Sequence, residues 1–126
     1  MQPNDAPMNR TPFILAAVGA GLTSLYWAAL ALLTGFAANA GDFSPLQAIL
    51  AVVLIGLYAY RGFQVFQGEP NAAKALLWLH GVGAVVSVMR MMSGDIVVIV
   101  LFGIKIGLHV FGAAMAYWAT QSTPRL

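Results

Sequence analysis

The side chains that could do chemistry in this chain are few. Lys105 and His109 lie four residues apart, so on a helix they share a face one turn apart. His80 falls fourteen residues before Gly94 and His109 fifteen after it. In an antiparallel helical hairpin turning at Gly94, the two imidazoles would stand within about 1.5 Å of the same depth. Tyr58 offers a phenol, and Thr23, Ser24 and Tyr26 offer hydroxyls from an earlier segment. A polar interior of Lys105, His109, His80, Tyr58 and Thr23 can be assembled from these. Three chemistries suit the histidines. Paired neutral imidazoles ligate the iron of a b-type haem in membrane cytochromes. With Lys105 they could relay a proton or a substrate. Or they bond each other, a tyrosine or a backbone carbonyl and serve only as polar glue.

Lys105 has no acid of this chain near its depth, since Asp5, Asp42, Glu69 and Asp95 all fall in tails, loops or turns. A lysine amine there implies a bond to a tyrosine or carbonyl, a transported anion, or an acid on a partner subunit. The chain has no HExxH, GxSxG or P-loop pattern. No carboxylate lies in an apolar segment to act as acid or base, and no cysteine is present for thiol catalysis or metal ligation. The expectation is a protein without enzymatic activity, with no resident metal and no cofactor other than the haem b alternative.

The elements that must hold these groups follow from composition. Of 126 residues, 60% are hydrophobic and 8% charged, against roughly 25% charged in an ordinary soluble domain. Mean hydropathy is +0.82. Such a chain cannot coat a water-facing surface, which excludes a soluble globular protein and a disordered chain. The net charge of +2 comes from six basic against four acidic residues, so no nucleic-acid partner is implied. A membrane helix needs about 20 mostly apolar residues. Four segments qualify, at about 12–36, 46–66, 72–92 and 96–119. Ser44-Pro45, Gly68-Glu69-Pro70-Asn71 and Ser93-Gly94-Asp95 separate them with cap and turn chemistry. The expected fold is all-α, a four-transmembrane-helix antiparallel bundle running up-down-up-down through short loops. Residues 1–11 read as a flexible N-terminal tail, 12–120 as one membrane domain and 121–126 as a short C-terminal tail. The first span, with about 25 apolar residues, exceeds the h-region of a cleavable signal peptide.

Basic residues set orientation. Arg10, Arg61, Lys74 and Arg125 gather at the side of the tails and the 67–73 loop, and Arg90 alone lies toward the other. Both termini are therefore expected in the cytoplasm, in a bacterial inner (plasma) membrane. Helix association in lipid rests on close packing and interhelical polar contacts. Small residues recur at four-residue spacing at Gly19 and Thr23, Gly83 and Ser87, and Gly103 and Gly107. These six are candidate packing or interface positions, either within the bundle or toward a homo-oligomer or a membrane-protein partner. The expected role is a small polytopic accessory or assembly partner of a larger membrane system. The alternatives are an oligomeric transporter or channel for an anion or protons, with Lys105 and His109 in the path, and a haem b or pigment protein using His80 and His109.

Overall fold

A computed structural model describes residues 8–37, 45–92 and 94–122. They form four helices: α1 (Thr11–Ala37), α2 (Pro45–Phe66), α3 (Pro70–Met92) and α4 (Ile96–Gln121). All four are long and apolar enough to cross a membrane. The chain is a multi-pass membrane protein built as an all-α, four-helix bundle. The span boundaries differ from those read in the sequence by a few residues at α3 and α4, which begin at Pro70 and run on to Gln121. The 38–44 connection, with Ser44 and Phe43, lies outside the described residues, as do Asp5, Asp42, Ser93 and Arg125.

Local chemistry sets the helix ends. The Asn9 side chain accepts the Thr11 N–H at 3.1 Å, ahead of proline in the first turn of α1. α2 ends in a Schellman motif: Gly68 N–H donates to Val65 O at 2.8 Å and Glu69 N–H to Gln64 O at 3.1 Å. Gly68 has φ 91°, a left-handed backbone that only glycine adopts without strain. Pro70 then starts α3 at a position where no amide proton is needed. Asp95 caps α4, its carboxylate accepting the Val98 N–H at 3.0 Å. The Arg10 guanidinium donates to Phe66 O at 2.6 Å, placing a cation at the negative end of α2.

The helices form a ring in chain order, α1 packing on α2 and α4, and α3 packing most extensively on α4. α2 and α3 are the loosest pair of neighbours. Close approach depends on small residues. A Cβ on Gly19 would stand 3.0 Å from Gly112 Cα, and one on Gly62 would stand 2.9 Å from Ala20 Cβ. Ser24 donates to Ile55 O at 3.1 Å across α1 and α2, and Tyr26 donates to Leu101 O across α1 and α4. Phe13, Val65, Leu76 and the alanines at 16, 20, 72, 73, 116 and 119 fill the interior near the end where α1 begins and α4 finishes. The outer surface is apolar, with Trp78, Met92, Leu25 and Val52 among many large exposed side chains, as lipid requires.

Candidate functional site

The buried polar side chains gather halfway along the bundle. His80 projects from α3 and His109 from α4, both fully buried, and their Nδ1 atoms are 3.2 Å apart. Tyr58 from α2 stands over both, with ring centroids 5.0 Å from His80 and 5.9 Å from His109. Its hydroxyl donates to Leu79 O at 2.9 Å, and its oxygen lies 3.5 Å from His109 Nδ1. In the 3.2 Å contact between the two Nδ1 atoms one imidazole donates and the other accepts, and the Tyr58 oxygen, its proton engaged with Leu79, can accept from His109 Nδ1. Both Nε2 atoms are buried with no hydrogen-bond partner among the described residues.

What meets those edges instead is glycine. Each imidazole lies against a backbone position on the opposite helix, His80 on Gly112 and His109 on Gly83. A Cβ at Gly83 would stand 2.6 Å from His109 Nε2, and one at Gly112 would stand 2.8 Å from His80 Cδ2. The two helices thus exchange the same device, a histidine followed three residues later by the glycine that seats the partner's histidine. The signal is present in the sequence as His80-x-x-Gly83 and His109-x-x-Gly112, a three-residue spacing that small-residue pairs four apart do not reveal.

Lys105 is one turn from His109 and 1% exposed. Its amine lies 3.5 Å from the centroid of the Trp27 ring and 5.1 Å from that of Phe102. This is cation–π geometry, which Trp supports best. Trp27 went unremarked in the sequence because nothing there ties α1 to the face of α4. The described carboxylates, Glu69 and Asp95, are both at helix ends. Lys105 also reaches the floor of a cleft of about 490 Å³ between α2 and α3, whose lining includes Trp27, Tyr58, Arg61, Trp78 and Val86. The cleft lies beside the exposed side chains of Trp78 and Val82, and its walls are almost wholly apolar. Near its outer end Arg61 donates to Gln64 Oε1 at 2.9 Å.

Lys105, His109, His80 and Tyr58 therefore converge on one interior. The six small-residue positions do not share one role. Gly19 and Gly83 are helix–helix contacts. Thr23 and Ser87 are buried, but each hydroxyl bonds its own helix four residues back, Thr23 to Gly19 O at 2.8 Å and Ser87 to Gly83 O at 2.7 Å. Gly103 and Gly107 are exposed, and a Cβ on either would meet open space. Contrary to the expectation for packing within the bundle, neither glycine lies between helices. α4 can turn only one face inward, and the cost of leaving Lys105 and His109 in lipid selects that face.

The haem b alternative does not fit this geometry. A porphyrin iron needs the two imidazoles on opposite faces of a wide macrocycle, whereas these rings touch edge to edge at 63° with centroids 5.5 Å apart. Among the described residues no group of three or more His, Cys, Asp or Glu could hold a metal ion. Compared with family models, curated proteins and solved structures, the chain finds no match in any of the three.

Proposed function

We propose that this chain is a non-enzymatic accessory protein of a larger membrane system, held in a bacterial inner membrane with both termini in the cytoplasm. The observation that carries the reading is the cleft between α2 and α3. It lies along the seam of two helices beside the exposed side chains of Trp78 and Val82, and buried Lys105 is among the residues that line it. A polar group on such a seam suits recognition of another molecule within the membrane. With only short connections between the spans, partners would be recognised there. The positions of Arg10, Arg61, Lys74 and Arg125 in the sequence, against Arg90, support that orientation.

A second reading, transport of an anion or proton, draws support from the mid-depth layer of Lys105, His109, His80 and Tyr58. Against it, Phe13, Val65, Leu76, Ala116 and Ala119 pack the bundle axis between that layer and the end bearing the termini. The native particle mass after gentle solubilisation separates the two. A particle holding other membrane proteins in fixed ratio supports the accessory role. A particle of this chain alone, together with anion or proton flux in liposomes that Lys105→Ala abolishes, overturns it in favour of transport.

A further inference from the structure

We propose that the α2–α3 cleft receives a transmembrane helix of another protein, and that an Asp or Glu carboxyl group midway along that helix pairs with Lys105. This rests on the accessory reading and names the chemistry of the partner.

Three observations converge. The first is charge. Lys105 is 1% exposed and lines the cleft, with an aromatic face beneath its amine and the described carboxylates far off at helix ends. An ionisable side chain inside a membrane pairs with an opposite group or lines a path. The second is depth. Lys105 lies ten residues from the Asp95 cap, about 15 Å along α4, or half of a hydrocarbon core about 30 Å thick. Lipid headgroups stay at the interface. An acid that reaches Lys105 is therefore carried by something that spans the bilayer. The third is shape. The cleft follows α3 from Ala75 to Val86, about 16 Å or three turns. At about 490 Å³ it is too small to swallow a helix about 10 Å across, but it admits the side chains along one face of a helix laid over it. Its walls, including Leu54, Leu57, Val82 and Val86, match such a face, and α2 continues it with exposed Leu50 and Val53. The looseness of the α2–α3 pair leaves that seam as the place for a fifth helix.

The chain contains no cysteine, so a single introduced thiol reports position without background. Val86→Cys places it on the cleft wall, and Val110→Cys places it on an exposed part of α4 away from the cleft. Each variant of the full chain is reconstituted in phosphatidylcholine vesicles with a synthetic Leu/Ala transmembrane peptide. The peptide carries one cysteine beside a central Glu, a central Gln, or a Glu moved two turns toward one end. The expected result is disulfide cross-linking of the central-Glu peptide to Val86→Cys at about tenfold the yield of the Gln peptide, equivalent to about 1.4 kcal/mol. The displaced-Glu peptide and the Val110→Cys control should stay at the Gln level. Lys105→Met should erase the preference and Lys105→Arg should keep it. Equal yields for Glu and Gln overturn the proposal, and they do so with Lys105 intact, whether or not Lys105→Met folds. Suppression of the Glu peptide by equimolar oleate also overturns it, assigning the cleft to a fatty acid instead. A large native particle alongside peptides that do not discriminate would leave the accessory role standing and remove only the Lys105 pairing.

Discussion

Gly112→Ala tests the reciprocal seating of histidine on glycine. The added methyl would stand 2.8 Å from His80 Cδ2, where carbon atoms in good contact are about 3.5–4.0 Å apart. The ring has little freedom to move. It is fully buried, bonded to His109 at 3.2 Å on one side and covered by Tyr58 on another. Overpacking of this kind costs about 1–3 kcal/mol. His80→Ala also destabilises, through the cavity and the lost bond, yet in the double variant the new methyl enters space the ring vacated. The two changes should therefore be less than additive, with a coupling of about 1–2 kcal/mol. Gly83→Ala with His109→Ala should behave alike. The crossed pair Gly112→Ala with His109→Ala should couple less, because the His80 ring is still there to be struck. The assay is loss of helical circular dichroism as SDS is titrated into detergent micelles, read as a full cycle for each pair. If Gly112→Ala unfolds at the same SDS fraction as the unmodified protein, or matched and crossed pairs couple equally, the seating is not as described.

Other residues yield shorter tests by the same assay. Tyr58→Phe removes the donor to Leu79 O while keeping the ring, and should cost about 0.6–1.5 kcal/mol. Asp95→Ala removes the cap on Val98 N–H and should cost about 1 kcal/mol, with Asp95→Asn recovering most of it. Gly103→Leu and Gly107→Leu place side chains in open space and should change the stability of the isolated bundle by less than about 0.5 kcal/mol. A large loss there would show that α4 turns its other face inward. Gly68→Ala forces an alanine into the left-handed backbone that ends α2, and should cost about 1–2 kcal/mol.

The number of spans and their turns were legible because length and local chemistry determine them. A run of apolar residues long enough for the bilayer, then Gly68 and Pro70 or Gly94 and Asp95, admits little else. Rotation of each helix about its axis was less legible. These helices are apolar nearly all round, so no hydrophobic stripe announces an inner face. Polar residues supplied the missing signal in α4, where Lys105 and His109 turned inward and carried Gly103 and Gly107 outward. The equal depth of His80 and His109 could be counted from the turn. That their rings touch, that each rests on a glycine of the opposite helix and that Trp27 lies under Lys105 depend on interhelical distance and angle. No spacing within one span encodes those.

The pairing of His80 with His109 also bears on how the protein enters its membrane. His109 lies 29 residues beyond His80, so α3 emerges from the ribosome before its partner does. Of the four spans α3 has the lowest hydropathy, 1.5 against 2.3 for α4, and it carries an imidazole whose bond awaits the next helix. Released singly into lipid, it would bring that group unpaired. The short connection at Gly94 lets α4 fold back while α3 is still beside the insertion channel. Partition of α3 and α4 together, as one hairpin, spares that cost.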